Sequence, residues 1–157
     1  MNEHAEVEIV RSFDPLTLPA VATVMIAARH MRSRNASACL VVERDVKLVG
    51  IFTERDGISR VLAEGKDPAR TPLAEVMTDN PSTVGPESTA EEIVRLMRDM
   101  RVRHLPIVHE GKVVGMVSRG RFYDTDANHA ATAPQGSVPQ EATALIASLN
   151  AELAPVA

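Results

Sequence analysis

Apolar residues recur along the chain with helical spacing in two segments, and two short apolar runs follow each segment. The spacing i, i+3, i+4, i+7 predicts helices with one buried face at 21–34 and 88–101. The apolar positions are Val24, Ala27, Ala28 and Met31 in the first helix, and Ala90, Ile93, Val94 and Met97 in the second. The runs "ACLVV" and "LVGIF", and later "HLPIV" and "VVGMV", each predict a β-hairpin.

Turn and capping residues indicate where these elements begin and end. Ser88 and Glu91 have the spacing of a capping box at the start of the 88–101 helix. The pair Glu110-Gly111 is typical of a tight hairpin turn. Another helix is expected at about 55–64, ended by Gly65, and a shorter counterpart is expected from Arg119 onward.

The same order of elements occurs twice because the sequence repeats. Shifting the chain by 66 residues aligns Pro15 with Pro81 and Met31 with Met97, and a shift of 65 then aligns Gly50 with Gly115. The lost residue falls in a hairpin turn, which is "ERDVK" in the first copy and "HEGK" in the second. Each copy is predicted as strand, helix, strand, strand, helix, and so the sequence predicts an α+β fold of two copies packed about a pseudo-two-fold axis.

The repeat also divides the chain into segments. We expect an N-terminal extension at 1–8, copy one at 9–66, a linker at 67–76, copy two at 77–124, and a linker and C-terminal helix at 125–157. The C-terminal helix is predicted from an apolar stripe of Ala142, Leu145, Ile146 and Leu149, which needs a partner surface.

Composition restricts the possible functions. Aromatic residues make up only 3% of the chain, and the net charge of −4 does not favour binding to nucleic acid or to an anionic membrane. Cys39 is the only cysteine, and it is expected to be an inert core thiol in a cytoplasmic protein with no membrane span. The histidines lack metal-ligand spacing, and no nucleophile has an evident base, so neither a metal site nor an enzyme is expected. A cluster of Arg95, Arg98, Arg101 and Arg103 is interpreted as a solvated helix face.

The heptad "GIFTERD" at 50–56 has two interpretations. In the first, Thr53 is the N-cap of a helix and Asp56 is a favourable acid in its first turn. In the second, the same two side chains hold a ligand at the start of the helix. The isolated heptad does not decide between them.

The two copies resemble the cystathionine-β-synthase (CBS) domain pair, a tandem regulatory module. The resemblance rests on "GIFTERD", "EVMTDNPSTVGPESTAEEIVRLMRDMRVRHLPIV" and "GKVVGMVS", and it covers about residues 9–123. It implies two clefts between the sheets, each able to take an adenosine-containing ligand such as AMP, ADP, ATP, S-adenosylmethionine or NAD. AMP or ATP is favoured, and no further cofactor is implied.

The resemblance also implies which residues line the clefts. In the first cleft, Asp56 would hold the ribose beside Thr53, and Arg55 or Arg103 could pair with a phosphate. The remaining walls would come from Pro81, Ser82, Thr83, His104 and Pro106. The second cleft would use Leu16, Ser37, Ala38, Ser118 and Arg121, and it departs from the family because Arg121 occupies the position of the ribose-binding aspartate. An arginine has no acceptor for a ribose diol, so the clefts are expected to be unequal.

Two classes of function stay open. The first is a non-catalytic regulatory module that binds an adenosine ligand, forms a homodimer through its repeated helices and signals to another protein. The second is a structural or interaction protein whose clefts are vestigial. Apolar residues outside the buried helix stripes, including Met25, Ile26, Leu96 and Met100, favour the homodimer.

Overall fold

A computed structural model describes residues 9–44 and 46–120. Copy one consists of β1 (Ile9–Ser12), β2 (Thr17–Pro19), α1 (Val24–Ser33), β3 (Ala38–Glu43), β4 (Lys47–Thr53) and α2 (Glu54–Asp56), which continues as π-helical turns over Gly57–Leu62. After it come α3 (Leu73–Val76), β5 (Thr78–Asp79), α4 (Ala90–Met100), β6 (His104–His109) and β7 (Lys112–Arg119). The predicted order of strands and helices is confirmed as far as β7, and the fold is of the α+β class.

The strands form two sheets, and each sheet contains one strand from the other copy. The first sheet has the order β2-β3-β4-β5 and the second has the order β1-β7-β6. Thus β1, from copy one, pairs antiparallel with β7 of copy two, while β5, which leads into copy two, pairs antiparallel with β4 of copy one. This exchange of strands makes each sheet depend on both copies.

The two copies share details of strand register, which supports the pseudo-two-fold relation. In β3 the register shifts between Val41 and Val42, and β6 shifts at the positions 66 residues later. The parallel pairing of Leu18 with Val41 recurs as a bridge between Val84 and Ile107. The repeat seen in the sequence is therefore a repeat of backbone geometry.

Two equivalent glycines allow the exchanged strands to approach closely. A Cβ atom at Gly115 would lie 2.6 Å from the backbone oxygen of Ser12 in β1. A Cβ atom at Gly50 would overlap the side chain of Met77 and lie 3.0 Å from the backbone oxygen of Thr78 in β5. Glycine is needed at both positions because no larger residue fits beside the incoming backbone.

Alternation along the strands separates three apolar clusters. In β3, Cys39 and Val41 pack on the helix side of the first sheet, whereas Ala38 and Leu40 pack toward the second sheet. The cluster between the sheets consists of Ala38, Leu40 and Ile51, with Leu48, Val113 and Met116 at its margin. The third cluster joins α4 to the second sheet through Ile93, Met97, Leu105, Ile107 and Val117.

The predicted core thiol is confirmed. Cys39 is fully buried, and burial, with the nearby charge of Asp56, raises the pKa of its thiol to about 12. Such a thiol stays protonated and unreactive at neutral pH.

Several predicted element ends are confirmed and one is wrong. Glu110 and Gly111 both have positive φ in the second hairpin turn, as a two-residue turn requires. The α4 capping box is formed by Thr89 and Glu92, one residue later than predicted. Ser88 is instead in the preceding loop, where its hydroxyl accepts a hydrogen bond from the Gly85 N–H at 3.1 Å.

Other differences concern the segments that flank copy two. The segment 67–76 contains α3, whose Leu73 and Val76 side chains are buried in the helix-side core. Arg119 is the last residue of β7, and the helix expected after it, like the C-terminal helix, lies outside the described residues. Within 9–44 and 46–120, no helix is long and apolar enough to cross a membrane.

Candidate functional site

Strand register brings predicted residues of both copies to the space between the sheets. His104 in β6 lies directly opposite Ser118 in β7, and Ala38 in β3 lies directly opposite Thr53 in β4. Ala38 belongs to the apolar cluster between the sheets. Because strand side chains alternate between faces, polar groups at these strand ends lie at the margin of that cluster.

The segment Thr53–Asp56 forms a reciprocal capping box at the start of α2. The Asp56 backbone N–H donates to Thr53 Oγ1 at 3.3 Å, and the Thr53 backbone N–H donates to Asp56 Oδ2 at 2.9 Å. The Thr53 hydroxyl also donates to Asp56 Oδ2 at 3.0 Å. The interpretation of "GIFTERD" as a helix start is therefore confirmed, and the ligand interpretation has to be compatible with these bonds.

Asp56 is a buried carboxylate, with 9% of its surface exposed. Its Oδ2 atom accepts both hydrogen bonds from Thr53, and its Oδ1 atom lies 3.5 Å from Arg60 Nε. A carboxylate has about four lone-pair sites, so acceptor capacity is left on this side chain. A ribose hydroxyl could use that capacity without breaking the cap.

A direct hydrogen bond joins residues that the sequence analysis assigned to different clefts. Ser37 Oγ lies 2.7 Å from His104 Nε2, and the backbone oxygen of Ser37 accepts a bond from the Glu54 N–H at 3.0 Å. The start of β6 in copy two is thereby connected to the first residue of α2 in copy one. His104 and Ser37 are both partly accessible, so this pair is a polar group that a ligand could reach.

The environment of His104 favours its neutral form. Burial lowers the pKa of His104 below its usual 6.5, the Glu54 carboxylate opposes this shift, and the Arg103 guanidinium adds to it. A neutral imidazole has one donor and one acceptor nitrogen, so it can bond the Ser37 hydroxyl in either sense.

The segment Pro81–Thr83 crosses from the first sheet to the second. It follows β5, which pairs with Gly50 and Ile51, and it precedes Val84, which bonds to the backbone of β6. Within 9–44 and 46–120, no hydrogen bond or ion pair joins Pro81, Ser82 or Arg55 to Asp56. The structure brings Arg103, His104, Ser37 and Glu54 together, and it shows no direct contact from this segment or from Arg55 to the carboxylate.

Three predicted wall residues are buried and cannot touch a ligand in this conformation. Pro106 and Ala38 are fully buried, and Leu16 is buried in the helix-side core of copy one. These positions were predicted from linear motifs, which do not show how tightly the sheets pack. Thr53, Ser118 and Ser37 are partly accessible, and Arg121 lies outside the described residues.

The sequence analysis did not predict a groove on the helix side of the first sheet. The groove has a volume of about 470 Å³ and lies between α1, β4 and α2. Its apolar lining includes Val24, Met31, Phe52 and Ile58, and its polar lining includes Arg32 and Glu54. The apolar stripes of both helices were visible in the sequence, but the space between them depends on how far apart the helices pack.

Comparisons with known proteins agree with this architecture. A CBS-domain protein from Arabidopsis thaliana, CBSCBSPB3, is 36% identical over 137 residues, which are 87% of this chain and 25% of that protein. The chain thus spans about a quarter of the length of that relative. The CBS domain-containing protein YhcV from Bacillus subtilis is 38% identical over 98 residues, which are 62% of this chain and 69% of that protein.

A solved structure and a family model extend these matches. The CBS domain pair of protein MJ0100, solved with 5′-methylthioadenosine and S-adenosyl-L-methionine, matches with a TM-score of 0.63 and 28% identity. The match covers 69% of this chain and 87% of that one. The model of the CBS domain matches at residues 7–63 and again at 73–125. This chain therefore belongs to the CBS domain family and contains two CBS domains in tandem.

Proposed function

We propose that this chain is a non-catalytic regulatory module that binds an adenosine-containing ligand between its two copies and signals its presence to a partner protein. AMP, ADP, ATP, S-adenosylmethionine and NAD are the candidate ligands, with AMP or ATP the first choice. The related domain pair of MJ0100, solved with two adenosine compounds, supports the class of ligand.

The observation that carries this proposal is the meeting of polar groups from both copies at one end of the sheets. Thr53 and Asp56 end β4 and begin α2, and the adjoining Glu54 is bonded through Ser37 to His104 of copy two. A ligand seated here would contact both copies at once. Such a ligand can change the relation between the copies, which is what a regulatory module requires.

In this proposal, the unused acceptor capacity of Asp56 binds the ribose hydroxyls, and His104 and Thr83 flank the base. Charge-assisted bonds from hydroxyl to carboxylate are stronger than neutral ones, so Asp56 should contribute most to affinity. Because Pro106 and Ala38 are buried, binding requires a small opening of the sheets at this end.

Thermal denaturation tests the proposal. A ligand at about 100 times its dissociation constant adds about 2.7 kcal/mol to the free energy of unfolding. For a chain of this size, the melting temperature should rise by roughly 5–10 °C with at least one of the five compounds. No rise with any of them at millimolar concentration would contradict the proposal.

A second candidate function, an interaction protein with vestigial clefts, is favoured by a specific observation. Both oxygens of Asp56 already have partners, and the inner walls Pro106 and Ala38 are fully buried. Mass spectrometry of the purified native protein separates the two functions. A bound nucleotide released on denaturation supports the first, and its absence together with unchanged melting supports the second.

We also propose a homodimer formed through helices. Ile26 on α1 and the π-helical residues Ile58 and Leu62 expose 43%, 64% and 75% of their surfaces. These side chains lie beside the groove between α1 and α2, and a second copy could cover both.

A further inference from the structure

Two arginines lie directly opposite each other where β6 and β7 end. The Arg119 N–H donates to the Arg103 backbone oxygen at 2.9 Å, next to the pairing of Ser118 with His104. Like charges directly opposite each other on neighbouring strands destabilise a sheet. Both side chains are exposed, and within 9–44 and 46–120 neither forms an ion pair with a carboxylate.

The equivalent positions in copy one have no positive charge. There, the Glu54 N–H donates to the Ser37 backbone oxygen at 3.0 Å, which is the same bond one repeat earlier. The pseudo-two-fold relation thus replaces a serine and a glutamate with two arginines. The repeat architecture does not require arginines at these positions, so a structural role in the fold does not explain them.

The arginine pair lies at the margin of the proposed ligand cleft. Each arginine adjoins a residue of the inter-sheet face, Arg103 next to His104 and Arg119 next to Ser118. His104 in turn bonds to Ser37 at 2.7 Å. The carboxylate of Asp56 lies 3.5 Å from Arg60, which offsets its charge. Glu54 is therefore the nearby acid without an ion-pair partner among the described residues, and positive charge is in excess.

We propose that Arg103 and Arg119 select a phosphate-bearing adenosine ligand over neutral and sulfonium-bearing ones. The inference rests on the proposed function and specifies its ligand class. A phosphate between two guanidinium groups removes their mutual repulsion and accepts charge-assisted, bidentate hydrogen bonds. The sulfonium of S-adenosylmethionine would meet the same groups with repulsion.

The test is calorimetric titration of the full chain with ATP, AMP, adenosine and S-adenosylmethionine at low ionic strength. The wild type should bind ATP and AMP at least about tenfold more tightly than adenosine or S-adenosylmethionine, which corresponds to about 1.4 kcal/mol. The double variant Arg103→Gln/Arg119→Gln should lose about tenfold or more in ATP affinity and less than about twofold in adenosine affinity. Added salt should weaken ATP binding in the wild type much more than in this variant.

The matched control is Arg95→Gln/Arg98→Gln, which removes two exposed arginines from α4 and changes the net charge equally. Its ATP affinity should stay within about twofold of wild type. An equal loss in both variants would make the effect one of net charge and overturn the inference. Wild-type binding of adenosine or S-adenosylmethionine as tight as that of AMP would overturn it while the proposed function stands. Binding of none of the four compounds contradicts both.

Discussion

Asp56 combines a structural role with the proposed ligand role in one side chain. It was expected to be an exposed acid in the first turn of a helix, but it is buried and accepts two hydrogen bonds from Thr53. Its replacement therefore leaves a buried backbone N–H and a hydroxyl without their partner. A loss of ligand binding in such a variant has to be separated from a loss of stability.

For Asp56→Ala, we expect the free energy of unfolding to fall by about 1–3 kcal/mol, because buried donors are left unsatisfied. Adenosine-ligand binding should be lost at temperatures where the variant is fully folded. Urea denaturation and calorimetric titration measure the two effects.

Glu92→Ala is the control, since Glu92 completes the equivalent box on α4 and is exposed. It should cost about 0.5–1 kcal/mol and leave ligand affinity unchanged. Wild-type affinity in Asp56→Ala would mean that Asp56 is only a helix cap.

His104 should make stability depend on pH. Burial lowers its pKa in the folded state below the usual 6.5, so the unfolded chain binds more protons at mildly acidic pH. The corresponding stability is fully present above the unfolded pKa and is lost as pH falls through the folded pKa. Between about pH 7.5 and pH 5.5, the melting temperature of His104→Asn should therefore fall less than that of wild type.

The control for His104 is His30→Asn on α1, where the side chain is exposed. Its pH dependence should match that of wild type. Comparing slopes, and not absolute stabilities, removes the separate effect of losing the bond to Ser37. Equal slopes in wild type and His104→Asn would contradict the prediction.

At the scale of elements, the exchanged strands depend on glycine. The Ser12 backbone oxygen would lie 2.6 Å from a Cβ at Gly115, and a backbone atom cannot move aside as a flexible side chain can. Gly115→Ala should therefore destabilise the protein by about 1–3 kcal/mol through overpacking between β1 and β7.

Gly85→Ala is the matched control for Gly115→Ala. A Cβ at Gly85 would have Ser88 Oγ at 4.0 Å as its nearest neighbour, so this change should be nearly neutral. Chemical denaturation of both variants measures the difference. Equal stabilities would show that β1 shifts away from β7 without cost.

Local patterns predicted the elements better than their pairing. The hairpins follow from alternating apolar runs and from the Glu110-Gly111 turn, and both signals lie within a few residues. Nothing within "IVRS" indicates that β1 joins the sheet of copy two, because sequence spacing does not encode long-range partners. The helix α3 was missed for a related reason, since four residues are too few to show a helical period.

The candidate site was partly predictable for the same physical reason. Thr53 and Asp56 are three residues apart, so one motif contains their geometry. The bond from Ser37 to His104 and the burial of Pro106 depend on how two sheets pack, which neither motif contains. The position of Arg119 opposite Arg103 also required the register of β6 and β7.

At the scale of the whole molecule, the exposed apolar residues of α1 and α2 predict association. A double variant, Ile58→Glu/Leu62→Glu, should convert a homodimer to a monomer, because two charges would be buried in the interface. Light scattering at micromolar concentration measures the mass of both proteins.

Val10→Glu serves as the control for the dimer test, since Val10 is 47% exposed on β1, away from these helices. It should keep the wild-type mass. A wild type that is monomeric at these concentrations would contradict the homodimer.

The pairing of β1 with β7 has a consequence for the order in which the protein can be completed during synthesis. Ile9 leaves the ribosome early, but its partner Arg119 is made 110 residues later. At about 5–20 residues per second, β1 waits many seconds with its backbone groups unpaired. Nascent chains arrested before β7 emerges should be cleaved readily by protease near residue 9, and chains released after β7 should resist. The earliest strand to be made is thus among the last to be protected, and the interval is a time when a neighbouring nascent chain could pair with it instead.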